Sequence, residues 1–167
     1  MTAVTGQPAP DFTLRNQHGQ KVTLSGFRGT RNVILMFYPL AFTGTCTGEL
    51  RAIRDRYADF VNDGSTVLSV SCDSPSSLRA FAEREGLTHS LLSDFWPHGE
   101  VSRAYGAFLE DKGFPARATF VIDRQGVIRW SVVTSVGAAR SADDYAAALS
   151  ALAVPSSPQG PLTQLAE

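Results

Sequence analysis

The chain has few cysteines, few histidines and almost no net charge. Two cysteines in 167 residues cannot build a disulfide scaffold. The three histidines lie far apart in the sequence and no Cys-x-x-Cys or His-x-x-His pair is present, so the sequence predicts no metal site. A net charge of −1 offers neither the basic surface typical of nucleic-acid binding nor a polybasic membrane anchor.

Long apolar runs are also missing. No stretch of about 18 apolar residues occurs, and the first residues lack the charged and apolar regions of a signal peptide, so we expect neither membrane insertion nor secretion. A reducing cytoplasm is the expected location, because a cysteine that reacts as a thiol has to be returned to its reduced form after each reaction. With 43% hydrophobic residues the chain can bury the core of one domain. We expect that domain over residues 4–153, followed by a disordered tail rich in Pro, Ser and Gly over 154–167.

The most informative segment surrounds Cys46. Residues 33–38 form a short, continuous apolar run that predicts a strand buried on both faces, and Pro39 ends it. Apolar side chains then recur at steps of four and three, which predicts one helix of about four turns over 46–61. Thr43 is the expected N-cap of this helix, and its hydroxyl would satisfy a free N–H group. Cys46 is therefore predicted to lie in the first helical turn.

A cysteine in that position is favoured as a thiolate. The unpaired N–H groups and the positive end of the helix dipole stabilise an anion. A thiolate is the nucleophilic form of cysteine. Without such surroundings, a lone cysteine on the apolar face of a helix is most often a small buried hydrophobic residue. The residues around Cys46 therefore decide between a reactive and a structural interpretation.

The remaining pattern alternates strands and helices. The predicted elements are an N-terminal hairpin (12–15 and 21–24), a strand (66–72), a helix capped by Ser74 (75–85), a short helix (101–105), a second hairpin (119–122 and 127–132) and a last helix that opens at 141–144 and ends near 153. A parallel βαβ unit joined to an antiparallel hairpin predicts an α/β fold with a central mixed sheet flanked by helices.

The spacing Pro-x-x-x-Thr-x-x-Cys, after an apolar strand and at the start of a helix, resembles the signature of the peroxiredoxins. Further segments resemble this family in the expected order: 6–14, 91–94, 101–106 and 117–123. The resemblance covers about residues 4–152 and is strongest to the actinobacterial one-cysteine type known as alkyl hydroperoxide reductase E. It implies a thioredoxin-like fold and a thiol peroxidase acting on hydrogen peroxide and organic hydroperoxides, with peroxynitrite as a further candidate substrate.

The resemblance also implies roles for individual residues. Cys46 is the expected peroxidatic cysteine, Thr43 orients the peroxide, and Pro39 shields the sulfur from water. Arg117 is expected to stabilise the thiolate and the charge that moves onto the leaving oxygen. Displacement at oxygen spreads negative charge over sulfur and two oxygens, so fixed donors at those atoms lower the barrier.

Other residues are expected to support this set. The resemblance favours a role for Glu49 and Arg140 behind Arg117, without contact to the substrate. Aromatic side chains near the site are either ordinary core or dimer contacts, or some of them form an apolar collar around Cys46 that admits organic hydroperoxides, which is our hypothesis. The candidates for this collar are Phe42, Trp96, Phe108 and Phe114.

The position of Cys72 decides between a one-cysteine and a two-cysteine peroxiredoxin. It ends the strand predicted over 66–72, and this position fits none of the placements of a resolving cysteine in two-cysteine peroxiredoxins. We interpret it as a structural residue, which leaves the Cys46 sulfenic acid to an external thiol. The resemblance implies a mycoredoxin with mycothiol, or a thioredoxin, as the reductant. It also implies a homodimer and no cofactor.

Two other functions remain open at this point. A disulfide reductase of the thioredoxin type is disfavoured because Thr43 stands where the first thiol of a Cys-x-x-Cys pair belongs. A redox sensor, or a holdase acting when overoxidised, would show oxidation of Cys46 without turnover. Turnover with a thiol reductant separates the peroxidase from both.

Overall fold

A computed structural model describes residues 3–153 of the chain. The tail predicted over 154–167 lies outside the described residues. None of the helices in the described part is long and apolar enough to cross a membrane.

A mixed sheet of seven strands forms the centre of the fold. Its strands are β1 (Thr13–Asn16), β2 (Lys21–Thr23), β3 (Asn32–Phe37), β4 (Ser65–Ser71), β5 (Ser90–Ser93), β8 (Arg117–Ile122) and β9 (Ile128–Thr134). Their order across the sheet is β2-β1-β5-β4-β3-β8-β9. Strands β3, β4 and β5 run parallel, and β1, β2, β8 and β9 pair antiparallel with their neighbours. A separate two-stranded ribbon consists of β6 (Phe108–Leu109) and β7 (Phe114–Pro115).

Helices cover both faces of this sheet. They are a 3₁₀ turn (Leu24–Phe27), α1 (Gly44–Asp55), α2 (Tyr57–Phe60), α3 (Pro75–Glu85), α4 (Glu100–Ala104) and α5 (Ala142–Ala153). Because side chains alternate along a strand, the central strand β3 sends Ile34 and Met36 into a core shared with α1, α3 and α5. Leu35 and Phe37 point into a second core, shared with α4 and the N-terminal segment. Strand β3 is thus buried on both faces, as its continuous apolar run predicts.

The helix predicted over 46–61 is wrong as one continuous element. Arg56 leaves the helical conformation, with φ −118° and ψ 32°, and divides the segment into α1 and α2. The Arg56 guanidinium is paired with Asp59 at 3.0 Å and with Asp143 of α5 at 2.6 Å. The break leaves Tyr57 exposed, although the spacing places it in the core, while Phe60 is fully buried against Tyr145.

Several other predictions are confirmed by the fold. The N-terminal hairpin, the helix over 75–85, the second hairpin and the last helix all form. Ser74 accepts a hydrogen bond from the Ser77 N–H at 3.2 Å, and Ser141 accepts one from the Asp143 N–H at 3.2 Å. Strand β5 and the β6–β7 ribbon are absent from the predicted elements, because strands of two to four residues carry little periodicity.

The parallel strands bring three loops together at one edge of the sheet. The carboxyl ends of β3, β4 and β5 meet there, and Asp73, just after β4, links the loop that follows β3 to the last residue of β5. Its side chain accepts a hydrogen bond from the Ala41 N–H at 2.9 Å, and its carbonyl accepts one from the Ser93 hydroxyl at 2.6 Å. These contacts fix the loop that leads from β3 to Cys46.

Candidate active site

Cys46 lies in the first turn of α1, on the side of the helix that faces the sheet. Its side chain is fully buried in the core shared with Tyr38 and Ala41. Helix α1 begins at Gly44, so the predicted position of the cysteine is confirmed. The free N–H groups at the start of a helix and the positive end of its dipole are a favourable setting for an anion.

Thr43 occupies the N-cap position, but the predicted hydroxyl cap is wrong. Its backbone is extended, with φ −88° and ψ 151°, and its side chain makes no capping hydrogen bond. The Thr43 hydroxyl instead donates to the Leu40 carbonyl at 2.8 Å, within the loop itself. The exposed side chain therefore stabilises the loop before Cys46 rather than the N–H groups of α1.

Arg117 brings its guanidinium to the sulfur from the first position of β8. The register places Ala118 opposite Phe37, so Arg117 emerges beside the end of β3, where the loop to Cys46 begins. Its Nη1 and Nη2 atoms lie 3.4 and 3.5 Å from the Cys46 Sγ. Its Nε and Nη2 atoms also donate to the Val136 carbonyl, at 3.0 and 2.7 Å. The Val136 carbonyl thus holds the guanidinium with both terminal nitrogens near the sulfur.

Glu49 lies one turn after Cys46, on the same face of α1, and joins two arginines. Its Oε1 accepts a hydrogen bond from Arg117 Nη1. Arg140 donates to Glu49 Oε2 from its backbone N–H at 2.7 Å and from Nε at 2.8 Å, and Nη2 donates to Oε1 at 2.9 Å. Burial favours the protonated carboxyl, but the hydrogen bonds and charges of Arg140, together with the charge of Arg117, lower the pKa of Glu49 overall. Glu49 is therefore ionised and fixes Arg117 from behind.

The buried charges balance when Cys46 is a thiolate. Arg117, Arg140 and Glu49 are all nearly inaccessible to solvent, and together they carry one net positive charge. Burial alone lowers the pKa of Arg117, but hydrogen bonds and charges from Cys46 and Glu49 raise it overall. An uncompensated buried charge is costly, so this cluster favours a compensating negative charge on the sulfur.

Arg140 is also anchored to the sheet. Its Nη1 donates to the Phe37 carbonyl at 2.6 Å and to the Thr119 hydroxyl at 3.0 Å. The carbonyls of Phe37 and Val136 are parts of the site that the sequence does not reveal, because every residue has a carbonyl. Only the fold shows which carbonyls accept hydrogen bonds from the two guanidinium groups.

The loop between β3 and α1 has an unusual conformation at Phe42. Its φ of 66° lies in the left-handed region, which a bulky residue adopts only when its surroundings enforce it. The ring packs on Phe81 of α3 with a centroid distance of 5.0 Å, and the Arg84 guanidinium lies 5.8 Å from its centroid. Pro39, at the start of this loop, is buried.

The four aromatic residues expected to form a collar do not share one environment. Phe42 is the member that lies on the loop before Cys46. Phe108 packs under the Arg103 guanidinium at 4.1 Å, and Phe114 belongs to the β6–β7 ribbon. Trp96 is 81% exposed and lines a cavity with Arg15 and Lys21, on the β1–β5 side of the sheet.

Cys72 lies in a different environment from Cys46. Its thiol is buried and free, and it lies beside Asp94. Burial, and then the negative charge of Asp94, raise the pKa of Cys72 to about 12. The thiol is therefore protonated at neutral pH and is a weak nucleophile. Within residues 3–153, no group of three His, Cys, Asp or Glu side chains could hold a metal ion.

Comparison with known proteins agrees with this geometry. The sequence profile of the AhpC/TSA family matches residues 5–131. The chain is 50% identical over 147 residues to alkyl hydroperoxide reductase E of Mycobacterium bovis, covering 88% of this chain and 96% of that protein.

Solved structures of peroxiredoxins have the same fold. Reduced 2-Cys peroxiredoxin of Plasmodium vivax superposes with a TM-score of 0.81 at 28% identity, covering 89% of this chain and 81% of that one. Peroxidoxin BcpB of Mycobacterium tuberculosis gives a TM-score of 0.78 at 32% identity, covering 90% and 98%. The expected thioredoxin-like fold is confirmed. The chain therefore belongs to the AhpC/TSA family of peroxiredoxins, and it is a thiol-dependent peroxidase with an antioxidant function.

Proposed function

We propose that Cys46 is the peroxidatic nucleophile of a one-cysteine cycle that reduces hydroperoxides. The observation that carries this proposal is the contact of both terminal nitrogens of Arg117 with the Cys46 Sγ, at 3.4 and 3.5 Å. A buried guanidinium in this position supports both a thiolate and the negative charge of the transition state.

The chemical step needs no cofactor. The Cys46 thiolate attacks the terminal oxygen of the hydroperoxide, a sulfur–oxygen bond forms, and the oxygen–oxygen bond breaks. Sulfur loses two electrons and becomes sulfenic acid, while the leaving oxygen takes up a proton and departs as water or an alcohol. Arg117 donates hydrogen bonds to the sulfur and the reacting oxygens. Thr43 orients the peroxide, and Pro39 keeps water from the sulfur.

Glu49 and Arg140 act behind this set as positioning residues. The Glu49 carboxylate holds Arg117, and Arg140 holds Glu49 through three hydrogen bonds. The guanidinium of Arg117 is therefore oriented before the substrate arrives, which is the condition under which fixed donors are most effective.

Substrate entry requires the loop before α1 to move. The Cys46 side chain is fully buried, so a peroxide oxygen cannot contact its sulfur in this conformation. The segment 40–45 carries the left-handed Phe42 and the exposed residues Leu40 and Thr43, and its movement has to break the hydrogen bond between the Ala41 N–H and Asp73. Displacement of this loop opens a path to the sulfur from the solvent.

The sulfenic acid is resolved by an external thiol. The high pKa of Cys72 and its burial support a structural role for it and not a resolving one. A mycoredoxin with mycothiol, or a thioredoxin, supplies the reducing thiol in this proposal, and the protein acts as a homodimer in the cytoplasm. Hydrogen peroxide, organic hydroperoxides and peroxynitrite are the proposed substrates, and the name of the Mycobacterium bovis relative supports the organic class.

Turnover of single-cysteine variants tests this proposal. Peroxide consumption is measured with a dithiol reductant for the wild type, Cys46→Ser and Cys72→Ser. We expect Cys46→Ser to abolish turnover and Cys72→Ser to retain most of it. Loss of turnover in Cys72→Ser, with a folded protein, would show that Cys72 takes part in the cycle.

A further inference from the structure

Tyr38 carries a buried hydroxyl without a hydrogen-bond partner in the described part of the chain. Its side chain is fully buried in the same core as Cys46, and its Oη has no partner there. Two other buried tyrosines are satisfied: Tyr105 donates to the Pro10 carbonyl at 2.6 Å, and Tyr145 shares a hydrogen bond of 2.9 Å with Thr119. An unpaired buried hydroxyl is costly and uncommon, so its persistence beside a nucleophile calls for a reason.

The position of Tyr38 in the chain places its side chain in the core that also holds Cys46. Tyr38 follows β3 directly and lies on the face of the strand that carries Ile34 and Met36, which is the face covered by α1. Burial raises the pKa of Tyr38 well above its usual range, and the charges of Asp73 and Cys46 raise it further. Ser71 partly opposes this shift, but its hydroxyl does not reach the distance and angle of a hydrogen bond with the Tyr38 Oη.

We propose that the Tyr38 hydroxyl donates a hydrogen bond to the oxygen atom that Cys46 acquires when it is oxidised to the sulfenic acid. This inference rests on the proposed function of Cys46. In the reduced protein the site has a donor without an acceptor. Oxidation brings an oxygen with free lone pairs to the sulfur, so the buried donor becomes satisfied only in the oxidised state.

Tyr38 acts in this step as a hydrogen-bond donor and keeps its proton. A phenol whose pKa is raised is a poor acid, so the proton of the leaving alcohol does not come from Tyr38. A donor to the sulfenate oxygen stabilises the anion relative to the neutral sulfenic acid. Tyr38 therefore lowers the pH at which the sulfenic acid ionises. The charged groups around the sulfur and the hydroxyl are Arg117, Glu49 and Asp73. All three are retained when only the Tyr38 hydroxyl is removed.

The test compares Tyr38→Phe with Tyr105→Phe. In the reduced state, Tyr38→Phe removes a hydroxyl that has no partner, so we expect no fall in Tm. Tyr105→Phe removes a satisfied hydroxyl outside the active site, and we expect its Tm to fall. A fall of similar size in Tyr38→Phe would show that its hydroxyl is already satisfied in the reduced protein and would contradict the proposal.

The second readout is the ionisation of the sulfenic acid. The sulfenate anion is the form that reacts with a second peroxide to give sulfinic acid, so the rate of that reaction against pH reports the midpoint of ionisation. Reduced protein is treated with excess hydrogen peroxide, and the sulfinic product at Cys46 is followed by intact mass from pH 5 to 9. A hydrogen bond to a charged group corresponds to roughly a tenfold change in the ionisation constant. We expect the midpoint of Tyr38→Phe to lie about one pH unit above those of the wild type and Tyr105→Phe.

Two failures are distinguishable in this experiment. If the wild type forms no sulfenic acid at Cys46, the proposed function is wrong. If the wild type is oxidised at Cys46 and Tyr38→Phe has the same midpoint, only the role of Tyr38 is wrong. A purely structural tyrosine would change Tm without moving the midpoint.

Discussion

Replacement of Arg117 by methionine tests the electrostatic basis of the site. Methionine preserves most of the side-chain length but removes the two donors that lie 3.4 and 3.5 Å from the Cys46 Sγ. Hydrogen bonds to charged groups contribute about 1.5–3 kcal/mol each, and the lower figure applies because sulfur is a weak acceptor. The loss is then about 3 kcal/mol of transition-state stabilisation, which corresponds to a rate constant lower by about a hundredfold.

The assay is stopped-flow oxidation of the reduced protein by hydrogen peroxide at neutral pH, followed by tryptophan fluorescence. We expect the rate constant of Arg117→Met to fall by about a hundredfold, because the two donors to the sulfur are missing in the transition state. Arg117→Lys keeps a charge without the planar fork and is expected to be intermediate. Arg129→Met, which removes an arginine paired with Asp123 at the surface, is the matched control. A decrease of less than fivefold in Arg117→Met would refute this reasoning.

Three further predictions concern stability. His89 is buried and its pKa is lowered to about 4, so the unfolded chain binds a proton between about pH 6.5 and 4 that the folded chain does not. Between pH 7 and 5, we expect the free energy of unfolding to fall by about 2 kcal/mol more in the wild type than in His89→Gln. Urea unfolding at the two pH values measures this difference, and an equal fall in both proteins would contradict the prediction. Glu49→Gln leaves two buried arginines without their carboxylate and should lower the free energy of unfolding by about 3 kcal/mol or more, and a loss below about 1 kcal/mol would argue against the buried cluster. Ser74→Ala removes the cap of α3 and should cost about 1 kcal/mol in thermal unfolding, whereas Ser76→Ala, at an exposed position of the same helix, should cost much less.

The sequence predicts the central strand and the helix after β4 because the residues that define each element lie next to it in the chain. The continuous apolar run of β3 and the capping serine of α3 each lie within a few residues of the element they define. The break at Arg56 has no such signal. At the break, Arg56 pairs with the nearby Asp59 and with Asp143 of α5, 87 residues away, so its surroundings are complete only in the folded chain.

In the candidate site, too, some features follow from neighbouring residues and others depend on contacts between distant parts of the chain. The position of Cys46 in the first turn of a helix follows from the residues next to it. Its pairing with Arg117 spans 71 residues and was expected from the family resemblance alone, because nothing in the local pattern joins them. The Thr43 hydroxyl was predicted to cap α1, but the Leu40 carbonyl competes for it within the loop. The unpaired hydroxyl of Tyr38 depends on the final packing and has no local signal in the sequence.

The most direct test of the account is the fate of the two thiols after a single oxidation. Reduced protein is treated with one equivalent of hydrogen peroxide in the presence of a sulfenic acid trap, and the adduct is located by peptide mapping. The account predicts the adduct on Cys46 and a free thiol at Cys72. A disulfide between Cys46 and Cys72, or an unmodified Cys46, would contradict it.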